Sequence, residues 1–143
     1  MKLIIGSDDP GDVFDLARAH LQGKGFDVKT IEHGPWPDVA LAVAEAVANG
    51  EVDQGVLMCW TGTGTAMMAN KVKGVRAALA WDPWIAAGAR RYNDANILVM
   101  SLKRTPVDLV GEILDAWFAV GSPDADEIEN IKKMTDYEGG RNV

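Results

Sequence analysis

Residues 55–64 read GVLMCWTGTG, an apolar run that passes directly into a glycine-rich turn. The run predicts a buried strand that ends at Cys59, and the residues after the turn predict a helix. Gly62 and Gly64 let the backbone adopt unusual dihedral angles and approach a ligand closely. In an open parallel sheet, ligands bind where such strands end. The stretch therefore predicts an α/β fold with a binding site after Cys59.

The same alternation of short apolar runs and helical patterns extends along most of the chain. Strands are predicted at residues 3–6, 28–31, 55–58, 75–80 and 97–100. Helices are predicted at residues 11–24, 38–48, 63–72, 83–91 and 107–120. The strands lack polar alternation, as strands covered on both faces do. The pattern predicts a three-layer α/β/α domain with a five-stranded parallel sheet.

The chain of 143 residues fits one domain, and we assign residues 1–143 to it. Residues 122–143 differ from the rest, because they are polar and end in a Gly-Gly-Arg sequence near the terminus. They are either a loose tail or a C-terminal arm that packs on another surface, such as a second subunit.

Composition excludes several classes of partner. The net charge is −7 and no basic stripe is present, which argues against nucleic acid and against anionic membranes. The single cysteine cannot form an intramolecular disulfide, and no apolar run approaches the roughly 20 residues of a membrane span. The N-terminal MKLIIG turns polar too soon for a signal peptide. We expect a cytoplasmic protein that binds a small molecule.

Five segments follow the predicted strands, and the ligand is expected among them. They are residues 7–11, 33–38, 59–64, 81–84 and 101–104. In the third, the helix that follows Cys59 presents free N–H groups and a positive dipole end. Such a field can convert the thiol to a thiolate and can hold the oxyanion of an enediolate. A lone buried cysteine is nevertheless more often a packing residue, and spacing alone favours that role for Cys59.

Other candidate residues each have an ordinary alternative. Asp8 and Asp9 can bind sugar hydroxyls, or one of them can cap the next helix. The sequence before the fifth strand indicates a turn at Asn93, Asp94 and Asn96. Four tryptophans lie near strand ends and suit a sugar ring, although we assign at least two of them to core packing; they are Trp36, Trp60, Trp81 and Trp84. Neither histidine has a partner in the sequence; we assign His20 no role and His33 at most a minor one.

Taken together, the chain resembles the ribose-5-phosphate isomerase B family, which includes the galactose-6-phosphate isomerase subunits. The matching stretches run in family order along nearly the whole chain: Gly6-Ser7-Asp8, Gly50-Glu51-Val52-Asp53, Cys59-x-Thr61-Gly62-x-Gly64, Ala69-Asn70-Lys71, Gly74-Val75-Arg76-Ala77, Asn93-Asp94-Ala95-Asn96-Ile97-Leu98 and Glu138-Gly139-Gly140-Arg141. The resemblance implies a Rossmann-like sheet and a homodimer or homotetramer with a shared active site. It implies no metal and no cofactor.

The resemblance also implies roles for individual residues on a sugar phosphate. Cys59 matches the base that moves the proton between C1 and C2, and Thr61 would help to shuttle the hydroxyl proton. The amides of Gly62, Thr63 and Gly64 would stabilise the enediolate. The remaining substrate contacts would come from Asp8, Asn93, the phosphate-binding Arg141 and a basic residue at Lys103 or Arg104.

Among the positions that depart from the family pattern, three bear on the active site. Asp9 stands where the family usually has histidine, and Trp60 stands where it has glycine. Tyr92 replaces the histidine expected to open the furanose ring, so we assign the catalytic position to Tyr92 and substrate contacts to Asp9 and Trp60. The sequence predicts an aldose–ketose isomerase of a sugar phosphate that is ribose 5-phosphate-like, or shorter and open-chain. The alternative is a non-catalytic sugar- or nucleotide-binding domain that retains this fold.

Overall fold

A computed structural model describes residues 1–141 of the chain, without the side chain of the last of them. Five strands alternate with helices in the order that the sequence predicts, and a sixth helix follows near the C-terminus. In chain order the elements are β1 Lys2–Ser7, α1 Asp12–Gly23, β2 Asp27–Thr30, α2 Trp36–Ala48, β3 Gln54–Cys59, α3 Thr63–Ala69, β4 Ala77–Leu79, α4 Pro83–Asn93, β5 Ile97–Ser101, α5 Val110–Phe118 and α6 Ile128–Arg141.

All neighbouring strands pair in parallel, in the order β2-β1-β3-β5-β4, which confirms the predicted five-stranded sheet. Successive residues of β1 point to opposite faces. Leu3 and Ile5 pack with α1, α4 and α5 around the fully buried Trp117, whereas Ile4 packs with α2 and α3. The two apolar cores make the domain a three-layer, Rossmann-like α/β/α sandwich, as predicted.

The direction of each crossover decides which face its helix covers. The connections β2–α2–β3 and β3–α3–β4 run toward the β4 edge and share one face, whereas β1–α1–β2 and β4–α4–β5 run back on the other. The chain therefore leaves β3 toward one face and leaves its neighbours β1 and β5 toward the opposite face. Crevices open where neighbouring chains diverge in this way, so the end of β3 is the expected ligand position.

The helix α3 is shorter than predicted, since it ends at Ala69 rather than at residue 72. Asn70 ends it, and its side chain then acts as a strand partner for Ala77. Asn70 Nδ2 donates to the Ala77 carbonyl, and the Ala77 N–H donates to Asn70 Oδ1, both at 2.8 Å. β4 is at the edge of the sheet, so the N–H and C=O of Ala77 on its open side have no strand partner. The two bonds from Asn70 satisfy both groups.

The C-terminal arm is not a loose tail in the described residues. A 3-10 turn at Ala125–Glu127 leads into α6, and both lie against α4. Arg91 holds the Asp124 carboxylate through Nε at 3.2 Å and Nη2 at 2.9 Å, and the Asp124 N–H donates to the Arg91 carbonyl. The Gly74 N–H donates to Glu138 Oε2 at 3.0 Å. The arm therefore packs on its own chain, which the sequence left open.

Candidate active site

The thiol of Cys59 lies at the end of β3, inside the turn that leads to α3. Its Sγ accepts a hydrogen bond from the Gly62 N–H at 3.2 Å and from the Thr65 hydroxyl at 3.4 Å. Only 5% of the Cys59 surface is exposed. Helical spacing brings Thr65 back over the strand end, and the turn directs the Gly62 amide inward.

These donors lower the pKa of the Cys59 thiol. Burial is the largest single influence and raises the pKa of Cys59. The hydrogen bonds act in the opposite direction, and they come from the hydroxyl and N–H of Thr65 and the N–H groups of Gly62 and Thr61. Together they outweigh burial, so the pKa of Cys59 lies below that of an ordinary cysteine. A larger fraction of the group is therefore thiolate at neutral pH.

Gly62 is the residue on which this turn depends. Its φ of 80° is in the left-handed region, and a Cβ there would lie 2.5 Å from Leu79 Cδ1 and 3.2 Å from the Met100 carbonyl. Any other residue would be both strained and in collision with its neighbours. In this arrangement the Gly62 amide is bound to Sγ, and the Thr63 amide donates to Thr61 Oγ1 at 3.3 Å.

The end of β1 places two carboxylates beside the cysteine strand. Ser7 pairs with Met58, and the Asp8 N–H donates to the Met58 carbonyl, so Asp8 lies next to Cys59 along the sheet edge. Burial raises the pKa of Asp8 above its ordinary value, against the lowering effect of the Asp9 N–H that donates to its carboxylate. Neither acid caps α1, whose N-cap is Gly11 without any side-chain bond. The capping alternative is therefore wrong.

Asp8 and Asp9 line an open cavity of about 450 Å³, which we call the acidic cavity. Pro10, in the same loop after β1, forms part of its wall. The loop after β2 and the start of α2 form the rest, at His33, Gly34, Pro35 and Trp36. Trp36 packs closely over Gly64, where a Cβ would lie 3.1 Å from its ring. The acidic cavity therefore adjoins the glycine-rich turn on the β1 and β2 side.

A second cavity, of about 410 Å³, lies on the β4 and β5 side of the same turn. We call it the basic cavity, since Lys103 and Arg104 are among its lining residues: Trp60, Thr61, Leu79, Ala80, Trp81, Ser101, Lys103, Arg104 and Thr105. Its two loops are tied together. The Ser101 hydroxyl and the Lys103 N–H both donate to the Trp60 carbonyl, and Lys103 Nζ lies 5.1 Å from the centre of the Trp60 ring. A cation over an aromatic face is attracted to it, which positions both side chains at the cavity.

The tryptophans near the strand ends are all substantially exposed, so the expectation that at least two serve core packing is wrong. Trp36 and Trp60 are 45% and 56% exposed, and Trp81 and Trp84 are 61% and 72% exposed. The fully buried tryptophan is Trp117, whose Nε1–H donates to Gln54 Oε1 at 2.6 Å. Exposed aromatic faces beside acids and bases remain available to a ligand or to a second chain.

Two predicted site residues lie at the other end of the sheet. Helix α4 runs back along the sheet, so Tyr92 and Asn93 precede the start of β5, whereas Cys59 pairs with Ser101 at its end. At about 3.3 Å per residue, the two ends of β5 are roughly 13 Å apart. Asn93 instead lines a cavity of about 360 Å³ between β4, α4 and α6. Within one chain, neither residue is brought to Cys59.

The neighbours of Asn93 are structural, as the turn interpretation held. Asp94 ends α4 with a φ of 50° and pairs with Arg76 and Arg90 at 3.1 and 3.4 Å. Asn96 accepts from the Arg76 N–H at 2.8 Å and donates to the Gly74 carbonyl at 2.9 Å. Arg141 is the last residue of α6, and its predicted phosphate contact lies outside the described residues because its side chain is not among them.

His33, to which the sequence assigns at most a minor role, is a further lining residue of the acidic cavity. Its Nδ1–H donates to the Ser7 carbonyl at 2.9 Å. Its position after β2, in one of the five strand-end segments, was the available signal. Within residues 1–141, no three His, Cys, Asp or Glu side chains are grouped to hold a metal ion, and no helix is long and apolar enough to span a membrane.

Comparisons with known proteins cover nearly the whole domain and agree with one another. The sequence model of the family described as Ribose/Galactose Isomerase matches residues 3–142. Ribose-5-phosphate isomerase B of Escherichia coli is 36% identical over 149 aligned positions, which cover 99% of each chain. D-erythrulose-4-phosphate isomerase of Pectobacterium atrosepticum is 31% identical, over 96% of this chain and 95% of that protein.

Solved structures agree with these sequence matches. Ribose-5-phosphate isomerase B of Clostridium thermocellum superposes with a TM-score of 0.92 at 35% identity and 99% coverage of both chains. The enzyme of the same name from Mycoplasma genitalium, solved with bound ribulose 5-phosphate, superposes with a TM-score of 0.86 at 31% identity and 96% coverage of both.

The donors around Cys59 lead to a prediction that requires no substrate. Thr65→Val removes the hydroxyl donor to Sγ and keeps the side-chain shape, so the pKa of Cys59 should rise and the thiolate should form at higher pH. Thr65→Ser keeps the hydroxyl and should titrate as the wild type does. The ultraviolet absorbance of the thiolate, followed against pH, measures both; Cys59→Ser gives the blank because the chain has one cysteine. Coincident curves for Thr65→Val and wild type would contradict this account of the thiol.

Proposed function

The chain belongs to the ribose/galactose isomerase family, and on that premise we propose that it interconverts an aldose phosphate and a ketose phosphate, with Cys59 as the base. The observation that carries the proposal is the Cys59 thiol, which combines near-complete burial with hydrogen bonds that lower its pKa. A thiolate held in this way can remove a carbon-bound proton, a task for which a packing cysteine is unsuited.

The reaction moves one proton between neighbouring carbons through an enediolate. Cys59 Sγ takes the proton from C1 of the ketose or C2 of the aldose and returns it to the other carbon. When Sγ takes up this proton it becomes a neutral thiol, and the hydrogen bonds that it accepts become weaker. The amides of Gly62, Thr63 and Gly64, with the Thr61 hydroxyl, are then the groups that we assign to the negative enediolate oxygen.

The charges of the two cavities orient the substrate. Lys103 and Arg104 in the basic cavity suit a phosphate dianion, whereas Asp8 and Asp9 repel one and accept hydrogen bonds from hydroxyl groups. We therefore assign the phosphate to the basic cavity, with Arg141 as a further ligand, and the sugar hydroxyls to the acidic cavity. Trp60, between the two, offers an aromatic face to the carbon chain.

The site is completed by a second copy of the chain. Tyr92 and Asn93, for which the family resemblance implies substrate contacts, lie at the opposite end of the sheet from Cys59. A homodimer that joins the Cys59 end of one chain to the Tyr92 end of the other brings them together, and two dimers can form a homotetramer. The enzyme so formed needs no metal or cofactor, and we expect it in the cytoplasm.

We propose an open-chain substrate, such as a tetrulose phosphate. Tyr92 stands where the family usually has histidine, and a phenol is in general a poorer acid for ring opening near neutral pH than an imidazole. A four-carbon ketose phosphate cannot close a furanose ring through its phosphorylated terminal oxygen. A relative named for D-erythrulose 4-phosphate supports this preference, whereas a solved relative with bound ribulose 5-phosphate supports a pentose.

The competing function is a sugar- or nucleotide-binding domain without catalysis. The replacement of two family histidines by Asp9 and Tyr92 is the observation that favours it. Proton exchange separates the two functions, because a binder leaves C1 of a ketose phosphate unlabelled in deuterated water.

Cys59→Ser should lower kcat by about 100-fold or more, since an alcohol is a far weaker base than a thiolate and general-base catalysis is typically worth that much. Thermal unfolding should change little, because the two side chains are close in size. The measurements are net conversion and label at C1 with a panel of four- to six-carbon sugar phosphates. Full activity of the variant would remove Cys59 from the mechanism.

A shared site can be tested by complementation. Cys59→Ser and the double variant Tyr92→Ala/Asn93→Ala should each be impaired, but subunit exchange between them should restore one intact site in every mixed dimer. For a two-fold dimer at equal mixing, about a quarter of wild-type activity is expected. Co-expression with two affinity tags isolates the mixed species. If purified mixed dimers are no more active than their parents, each chain carries its own site.

The choice of substrate is measured by kcat/KM for a tetrulose phosphate against ribose 5-phosphate. We expect the tetrulose phosphate to be preferred, because its turnover requires no ring opening. Tyr92→Phe should leave that turnover nearly unchanged. A preference for the pentose, together with loss of its turnover in Tyr92→Phe, would identify Tyr92 as a ring opener and contradict the open-chain proposal.

A further inference from the structure

His33 projects from the loop after β2 into the acidic cavity that also contains Asp8 and Asp9. Its ring is held on two sides. The Nδ1 atom lies 2.9 Å from the Ser7 carbonyl oxygen, and the ring packs edge-on against Phe14 with centroids 4.9 Å apart at 69°. The imidazole therefore has one orientation, fixed by the end of β1 and the first turn of α1.

This contact fixes which nitrogen carries the proton. A carbonyl oxygen can only accept a hydrogen bond, so Nδ1 must be the protonated atom. In the neutral ring Nε2 is then unprotonated and can accept a proton from a bound molecule. A group with this tautomer can take a proton at Nε2 and return it without losing its anchor at Ser7.

The cavity that holds His33 is adjacent to the cysteine. Its wall at Asp8 is joined to the cysteine strand through the bond from the Asp8 N–H to the Met58 carbonyl. Its wall at Trp36 lies on Gly64. Asp8 and His33 line the same cavity, and burial raises the pKa of Asp8. A substrate with its reacting carbons at Cys59 therefore has oxygen atoms within reach of this cavity.

The proposed reaction needs a group that moves a second proton, which Cys59 does not handle. After C1 of a ketose has lost its proton, O2 is negative while O1 still carries a hydrogen. Thr61 can relay a proton but cannot store one at neutral pH. Asp8 is the main rival, although one of its oxygens already accepts the Asp9 N–H at 2.8 Å.

We propose that His33 moves the oxygen-bound proton between O1 and O2 of the enediolate. Neutral Nε2 accepts the proton of the O1 hydroxyl and delivers it to the O2 oxyanion, so His33 is an imidazolium only in passing. The electron pair left on O1 forms the C1 carbonyl, the C1–C2 double bond opens, and C2 takes the proton from the Cys59 thiol. Every proton is accounted for, and both side chains return to their starting states.

This inference rests on the isomerase function proposed above and adds a catalytic residue to it. Its closing experiment compares two rates in deuterated water, with a ketose phosphate that the wild-type enzyme converts. One rate is deuterium uptake at C1 of the recovered ketose, which requires Cys59 alone. The other is net formation of the aldose, which also requires the transfer between the oxygens.

His33→Asn is the matched variant, because its amide NH₂ can keep the bond to the Ser7 carbonyl while the reactive Nε2 is lost. Net isomerisation should fall by about 100-fold, within the usual range for general acid–base catalysis. C1 exchange should fall much less, so the ratio of exchange to conversion should rise. His33→Gln provides a second variant should the first be unstable, and it should raise the same ratio.

His20→Asn is the control, since the chain has only two histidines and His20 is bound to Asp115 between α1 and α5, away from Cys59. Its rates should equal those of the wild type. Unchanged rates in His33→Asn, an equal fall in both rates, or a raised ratio in Asp8→Asn alone would each overturn the role of His33 and leave the isomerase function intact. Absence of exchange and conversion in the wild type, with every sugar phosphate tried, would overturn both proposals.

Discussion

The left-handed turn at Gly62 is the constraint on which the rest of the site depends. With a φ of 80° and no space for a Cβ, this residue reverses the chain within three positions of Cys59. The reversal brings the Gly62 amide onto Sγ and starts α3 so that Thr65 reaches the same atom. A straighter connection would leave the thiol buried without donors, and burial alone would raise its pKa.

Sheet topology supplies the second constraint. The chain leaves β3 toward one face while β1 and β5 on either side leave toward the other, so the Cys59 turn is flanked by a crevice on each side. One side collects Asp8, Asp9 and His33, and the other collects Lys103 and Arg104. A phosphorylated sugar has an anionic end and a hydroxylated end, and the proposed orientation of the substrate rests on this division of charge around the Cys59 thiol.

Two departures from the family pattern replace histidines, which can handle oxygen-bound protons. A third places Trp60 in the cysteine turn, where Cys59, Thr61 and Gly62 are retained. Asp9 and Tyr92 occupy positions where histidines are usual in the family. His33 lines the acidic cavity together with Asp9, but it comes from a different loop. Proton transfer depends on where the reactive atom lies in space and not on the position of its residue in the chain. A residue from another strand-end loop can therefore supply the group. The family-level chemistry can therefore persist while individual residues change.

The sequence by itself determined the class of fold and the central feature of the site. Apolar runs without alternation specify strands covered on both faces, and a glycine-rich turn after such a run specifies a ligand position, because both are local consequences of backbone and burial. Cys59, Thr61 and Gly62 lie within four successive positions of the chain, so sequence reasoning could place them together. The same reasoning assigned at least two strand-end tryptophans to the core, and all four are exposed. A tryptophan near a strand end has the same local sequence pattern whether its side chain points inward or outward.

Only the tertiary structure decided which distant residues meet. The strand order brings Asp8 beside Cys59, whereas the return of α4 along the sheet places Tyr92 and Asn93 before the start of β5, although all four were candidates for one site. It also gives His33 its partner, because the Ser7 carbonyl is 26 residues away in the chain and adjacent in space. The physical reason is that parallel strands pair across long crossovers, so contacts at the sheet edge depend on strand order, which local sequence patterns do not encode.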